Sequence, residues 1–324
     1  GLRASVLYDQ DNWTFWSFPI TQSGQPAPLE RGSHLQVRVN LLSDAFFDFV
    51  SLDSLWIETS PPLAQQVVGE LARFDDPAPA RGLTEVRLGE RTDFTYDLRA
   101  EFTGAGQQGF DAIKVRTSSR PQFKQLLMGT ALQAVEPLAV TEGEDELIVQ
   151  LPERITRGSN EPIRLVFGTE VYVFANTFTG EVFDTESSDL PQLIEEGDVR
   201  DEVNSASLQV YGLAAGGDRT IQDLRFSSGV VTPNGDGAND ELRVEYQLFK
   251  LPQPLPVELV VYSLDGREIA RIDQGVQGAG PQIARWDGKA ADGQALPPGL
   301  YLLDLSIRSE LKDFRHLRAV GVAY

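Results

Sequence analysis

The chain has 324 residues, of which 41% are hydrophobic and 9% aromatic, so packed cores and two or three domains are expected. It carries 48 acidic and 28 basic residues, and the formal net charge of −20 repels nucleic-acid backbones and anionic membranes. The absence of cysteine excludes disulfides, thiolate metal sites and cysteine nucleophiles.

The N-terminal segment, residues 1–29, crowds four aromatic side chains into six residues. They are Trp13, Phe15, Trp16 and Phe18. One interpretation is that this segment forms the first strand of the domain that follows. The other is that it leaves its own subunit and pairs with the sheet edge of a neighbour. In the second case these aromatics form the contact between subunits.

Short alternating runs separated by Gly, Pro, Asn and Asp recur along the chain and predict an all-β protein. Residues 30–136 are expected to form a first β-sandwich. Its predicted strands are 35–39, 46–50, 54–58, 67–73, 84–88, 94–98, 113–116 and 125–128.

A second β-sandwich is expected at residues 137–215, beginning at Pro137. Its predicted strands are 147–151, 163–167, 171–174, 181–183 and 207–211. The stretch 184–204 is acidic and rich in turn residues, so it is predicted to be a long surface loop.

The last block, residues 216–324, opens at a predicted hinge, Gly216-Gly217-Asp218. Its predicted strands are 221–231, 241–248, 257–262, 300–307 and 317–324. Asp265-Gly266 suits a two-residue type I′ hairpin turn. Trp286 is predicted to lie in the core of this block.

A loop rich in Asn, Asp and Gly joins the first two strands of this block. Its candidate calcium ligands are Asn234, Asp236, Asn239 and Asp240. The loop is not an EF-hand, because Asn239 and Asp240 come one residue late and no bidentate Glu stands in register. Two hypotheses stay open: a calcium site completed by a second loop, or a network of Asx turns that braces the domain entrance. No other cofactor is expected.

Four motifs of this block occur together. They are Pro233-Asn234-Gly235-Asp236-Gly237, Leu264-Asp265-Gly266-Arg267, Trp286-Asp287-Gly288 and Pro297-Pro298-Gly299-Leu300-Tyr301. With them, residues 223–324 resemble the Ig-like domain of the flagellar hook-capping protein and the C-terminal domains of gliding-motility-associated secreted proteins. The resemblance implies a small antiparallel β-sandwich at the end of bacterial envelope or secreted proteins, without shared catalytic residues. The expected fold is therefore three consecutive Ig-like antiparallel β-sandwich domains.

Enzymatic activity is not expected. The only histidines, His34 and His316, lie outside any Gly-x-Ser-x-Gly motif, and no motif singles out a carboxylate pair for glycoside hydrolysis. Trp13, Trp16 and Trp56 are candidates for a sugar-stacking platform.

The sequence therefore predicts a non-enzymatic secreted or cell-surface structural protein, a subunit of an extracellular filament, sheath or surface layer. Assembly into a homo-oligomer is expected through edge strands. The start at Gly1 fits an exported protein whose signal peptide was removed, and it fits an artificially shortened chain as well. No apolar run reaches the roughly 18 residues of a membrane span. The alternative is a secreted adhesion module that binds a polysaccharide with its first two domains and uses the last for secretion or attachment.

Overall fold

The structure is a computed structural model that describes residues 9, 12–25, 27, 29, 32, 34–43, 49–104, 106–213, 219–308 and 313–324. The chain divides into two compact units, Gly1–Glu58 and Thr59–Tyr324. All regular elements of the described residues are β-strands, which confirms the all-β prediction. Accordingly, the described part of the chain contains no helix that could span a membrane.

The first unit has no strand among its described residues, so the strands predicted at 35–39 and 54–58 are wrong. Part of the predicted strand 46–50 lies outside the described residues, and Phe49 and Val50 are not in a strand. The apolar residues of the alternating run 35–39 stay 48–49% exposed. Alternation marks a segment that is suited to a sheet, but a strand also needs a neighbouring backbone to pair with. The described residues of this unit offer none.

The second unit begins with a β-sandwich built from residues 63–213. Its strands are β1 (Gln66–Arg73), β2 (Thr84–Arg87), β3 (Arg91–Glu101), β4 (Phe110–Arg116), β5 (Gln122–Met128), β6 (Gln133–Val135), β7 (Ala139–Glu142), β8 (Glu146–Ile155), β9 (Ile163–Glu170), β10 (Ala175–Thr177), β11 (Gly180–Phe183), β12 (Gln192–Leu193), β13 (Glu195–Glu196) and β14 (Gln209–Leu213). The two main sheets have the orders β13-β1-β3-β9-β5-β6 and β12-β11-β4-β8-β7. A third sheet has the order β10-β14-β2.

Residues from both predicted sandwiches, 30–136 and 137–215, mix in these sheets. β9 lies between β3 and β5, and the rings of Phe94, Phe167 and Phe178 meet in one core with centroids 5.3–6.2 Å apart. These residues therefore form one sandwich where the sequence predicted two. The prediction failed here because alternation identifies strands but carries no information about which strands pair.

One continuous segment closes each lateral edge of this first sandwich. Along one edge the chain runs as β6 in the first main sheet, passes Pro137, and continues as β7 in the second. Along the other edge it runs as β12 in the second sheet and as β13 in the first, switching at the buried Ile194. The stretch 184–204 is thus more than the predicted surface loop.

The predicted strand 171–174 is also absent. Val171 and Tyr172 lie in a connection between packed elements, where they are only 0% and 5% exposed. Their burial accounts for the apolar run. An apolar run in a buried connection and one in a strand look alike in sequence.

A second sandwich follows in residues 221–322. Its strands are β15 (Ile221–Phe226), β16 (Val230–Val231), β17 (Leu242–Leu248), β18 (Leu255–Ser263), β19 (Glu268–Gln277), β20 (Gly280–Trp286), β21 (Gly299–Ile307) and β22 (Phe314–Val322). Its sheets have the orders β15-β17-β20 and β16-β22-β21-β18-β19. Here too the chain passes from one sheet to the other, because β15 pairs antiparallel with β17 and β16 pairs parallel with β22. The predicted hinge at 216–218 lies outside the described residues.

Two local predictions for this sandwich have different outcomes. Trp286 is 2% exposed and its Nε1 donates to the carbonyl of Lys289 at 3.0 Å, so its place in the core is confirmed. The turn at Asp265-Gly266 is not type I′, because only Gly266, at φ 85°, has a positive φ. Ser263 N bonds to Arg267 O, which makes a three-residue loop with a left-handed glycine instead.

Candidate functional site

The aromatic segment of the first unit is open to solvent. The exposed fractions are 40% for Trp13, 76% for Phe15, 47% for Trp16 and 90% for Phe18. The Arg38 guanidinium lies 4.7 Å from the centre of the Trp16 ring. Such a cation–π contact is worth about 0.5–1 kcal/mol at an exposed site, so it orients Trp16 without burying it.

Apolar exposure continues through the rest of the described first unit. Further large apolar side chains that are at least 46% exposed are Ile20, Leu29, Leu35, Val37, Val39, Leu41, Leu42, Phe49, Val50, Leu52, Leu55, Trp56 and Ile57. Soluble monomers rarely expose apolar surface on this scale outside an interaction site. We name the described residues 12–58 the apolar unit and regard it as the candidate functional site.

The three tryptophans proposed for sugar stacking all lie in the apolar unit. Trp56 is 88% exposed, and its Nε1 donates to Ser54 Oγ at 3.2 Å. Its ring is therefore accessible, whereas part of the Trp16 ring is covered by Arg38.

The candidate calcium loop between β16 and β17 is a network of internal hydrogen bonds. Both carboxylate oxygens of Asp240 accept backbone N–H groups, from Gly235 and Gly237, at 2.7 Å. Asp236 accepts from Ala238 N at 2.7 Å and from Asn234 Nδ2 at 3.1 Å. This geometry corresponds to the Asx-turn hypothesis.

The same bonds bear on the calcium hypothesis. Every carboxylate oxygen of Asp236 and Asp240 already accepts a hydrogen bond within the loop. Asn239 has a left-handed backbone, φ 57°, and its carbonyl accepts from Thr232 N at 2.8 Å. The described residues contain no group of three His, Cys, Asp or Glu side chains placed to hold a metal. Calcium binding stays a prediction.

Two buried carboxyls, which were not among the predicted site residues, lie on neighbouring strands of the first sandwich. Glu70 on β1 is 0% exposed and stands opposite Asp97 on β3, which is 1% exposed. Asp97 accepts two hydrogen bonds from Arg164 of β9, at 2.7 and 2.9 Å. For Glu70 the available signal was an acidic residue among the apolar residues of β1.

Burial controls the protonation of both carboxyls. It raises the pKa of Glu70 to about 7, although backbone hydrogen bonds from Arg200 and Val199 act in the opposite direction. It also raises the pKa of Asp97, against the lowering effect of its bonds to Arg164. Since Asp97 is committed to Arg164, the pair is not arranged as two free carboxylates facing a substrate.

Comparison with solved structures finds matches of low TM-score and low sequence identity. The C-terminal domain of the Streptococcus agalactiae AgI/II polypeptide BspA has a TM-score of 0.31 and 7% identity, over 80% of this chain and 100% of that one. The Bacillus cereus major pilin subunit BcpA has 0.28 and 9%, over 80% and 66%. Latent PorU from Porphyromonas gingivalis has 0.29 and 14%, over 80% and 34%, so this chain spans about a third of that protein. Likeness at these scores carries no conclusion about function.

Sequence comparison is more specific but covers less of the chain. No curated protein matches the sequence. The family model of the FlgD Ig-like domain matches residues 235–310, inside the second sandwich. The resemblance of the C-terminal motifs to the Ig-like domain of the flagellar hook-capping protein is therefore confirmed over residues 235–310.

Proposed function

We propose that this chain is a non-enzymatic structural protein of the bacterial surface or exterior, and that its apolar unit joins it to a second copy. The observation that carries the proposal is the exposure of large apolar side chains along residues 12–58 without any strand in the described part. In this proposal the assembled form is an extracellular filament, sheath or surface layer, and the chain is exported.

The energetic argument concerns the same side chains. Fully burying one large apolar side chain contributes about 1.5–3 kcal/mol. Phe18 and Trp56, at 90% and 88% exposed, have nearly all of this contribution still to gain. An alternating run such as 35–39 would become a strand when a partner supplies backbone groups to pair with.

The lateral edges of the first sandwich are poorer contact surfaces. Its edge strands are two to four residues long, since β6, β7, β12 and β13 all belong to the switching segments. Short edges present few unpaired backbone groups to a partner strand. For this reason we assign the contact to the apolar unit and not to these edges.

Truncation tests the proposal directly. We expect the full chain to associate in light scattering and a chain lacking the whole first unit, residues 1–58, to remain monomeric. Replacing Trp16 and Phe18 by serine in the full chain should weaken association as well. The matched control replaces Leu264 and Val276, which are 64% and 66% exposed on the second sandwich, by serine and should associate normally. Unchanged association of the truncated chain would refute the proposal.

The second candidate is a polysaccharide-binding adhesion module, which the accessible ring of Trp56 favours. Aromatic faces that stand free in water are suited to stack on sugar rings. A glycan array decides between the candidates. Specific sugar binding by monomeric protein, lost on replacing Trp56 by alanine, would support the module and contradict the structural role.

A further inference from the structure

A strap of residues 197–207 links β13 to β14 and crosses β1. Backbone hydrogen bonds hold both of its ends, from Gly197 N to Gly69 O at 3.0 Å and from Leu71 N to Ser207 O at 2.8 Å. Near the second end, Val203 is buried and Ser205 Oγ donates to Leu71 O at 2.9 Å. Between Gly197 and Val203, Arg200 Nη2 donates to Thr130 O at 3.4 Å, and the remaining hydrogen bonds of this part to other elements are with β1.

Glu70 of β1 supplies those contacts. Its Oε1 accepts from the backbone N of Val199 at 3.2 Å and of Arg200 at 2.8 Å. Its Oε2 is buried and finds no hydrogen-bond partner among the described residues. An ionised carboxylate with one buried, unsolvated oxygen is costly, whereas a neutral carboxyl in the same place is much less so.

The charges around Glu70 add to that cost. The carboxyls whose charges act on Glu70 are Asp97 of β3 and Asp198 of the strap. Arg164 of β9, with Arg200 and Glu202 of the strap, acts on the charge of Asp97. The two arginines are already paired, Arg164 with Asp97 and Arg200 with Glu202 at 2.6 Å. Asp97 and Asp198 oppose a negative charge on Glu70.

We propose that Glu70 is a proton-operated latch: its neutral carboxyl holds the middle of the strap on β1, and loss of the proton to solvent releases residues 198–202. The ends of the strap stay anchored by their backbone bonds. Release exposes the face of β1 and β3 that the strap covers, and water then solvates the carboxylate. Acidification restores the proton and closes the strap.

The direction of the pH dependence follows from linkage. Burial raises the pKa of Glu70 from 4.5 to about 7 and outweighs the lowering effect of the strap's two backbone hydrogen bonds. In the proposed open state water reaches the carboxyl, so its pKa returns toward the ordinary value. The closed state then binds the proton more tightly, so opening becomes easier as pH rises between these two values. A difference of this size corresponds to an increase of about 100-fold in the opening equilibrium between pH 5 and pH 8.

Hydrogen exchange read by mass spectrometry tests the latch on the full chain. After correction for the intrinsic chemical rate, we expect protection of strap amides to fall about 100-fold from pH 5 to pH 8. The variant Glu70→Gln keeps an acceptor for the two amides but does not titrate, so its strap protection should not change with pH. The control Asp304→Asn alters a buried carboxyl of the second sandwich and should behave like the wild type.

Three results would overturn the latch. The first is strap protection that is independent of pH in the wild type. The second is a loss of protection shared equally by β3 and β9, since that indicates global unfolding. The third is a midpoint near 4.5 when the titration of the Glu70 carboxyl in the wild type is followed by NMR. A midpoint near 7 supports the proposal even if Glu70→Gln fails to fold.

Discussion

The ring of Phe249 lies 5.4 Å from the ring of Tyr172, and this contact joins the two sandwiches of the second unit. Phe249 follows β17 of the second sandwich, yet it packs in the core of the first. Lys250 N donates to Tyr172 O at 2.9 Å beside it. A Cβ on residue 89 would lie 2.8 Å from the Phe249 ring, so the position of this ring requires glycine at residue 89. The two sandwiches are therefore packed together and not merely linked.

Replacing Phe249 by alanine should uncouple them. We expect a loss of about 3–5 kcal/mol in the free energy of unfolding, the usual cost of truncating a buried Phe. Calorimetry should then resolve two transitions in place of one. The control Leu264→Ala removes a side chain that is 64% exposed and should change little. A single transition at the wild-type temperature would contradict the packed interface.

The loop between β16 and β17 should depend on Asp240. Asp240→Ala removes the acceptors of two backbone N–H groups, each worth about 0.5–1.5 kcal/mol net. We expect a loss of about 1–2 kcal/mol in urea unfolding, and a smaller loss for Asp240→Asn, which keeps one acceptor. Asp292→Ala removes one comparable bond, to Gln294 N, and should cost less than Asp240→Ala. Equal effects would show that the second bond contributes nothing.

Chelation separates the two hypotheses for this loop. If the loop is braced only by its internal hydrogen bonds, the melting temperature will be the same in EDTA and in millimolar calcium. A ligand that binds only the folded state at 100 times its Kd would add about 2.7 kcal/mol. A melting temperature that drops in EDTA, and does not drop for Asp236→Ala, would instead establish calcium binding.

Glu70 should also shape global stability. Its pKa is raised in the folded chain, so its contribution is complete below 4.5 and is lost as pH rises toward 7, by up to about 3 kcal/mol. Asp184 affects stability at lower pH than Glu70 does. Its hydrogen bond from Arg154 lowers its pKa, so its contribution to the free energy of unfolding is lost only in more acidic solution. Urea unfolding of the wild type and Glu70→Gln between pH 5 and 8 should give a falling curve and a flatter one. Parallel curves would contradict the assignment.

The sequence predicted where the strands of the second unit lie far better than which strands pair with each other. The apolar alternation of 94–98 and 163–167 identified parts of β3 and β9, but their pairing joins residues about 70 positions apart. Tyr172 illustrates the opposite error. Its apolar sequence surroundings predicted a strand, but the residue lies in a connection and packs against Phe249. Local patterns report the side chains of a segment, whereas pairing is decided by the whole chain.

The candidate site was predictable in part. The exposed aromatics Trp13, Phe15, Trp16 and Phe18 stood out by composition, and the structure leaves them exposed. Glu70 was overlooked because most acidic residues of such a chain lie on the surface. Its role depends on strap amides about 130 positions away in sequence, which no local pattern reveals.

The switching segments at the margins of the first sandwich limit how its layers can grow. An open sheet edge can pair with the backbone of another extended chain, and repeated pairing of this kind produces fibrils. Here a foreign strand would first have to unzip residues 133–142 or 192–196 from both layers at once. Growth of the first sandwich by adding strands at these two margins is thus blocked by its own chain.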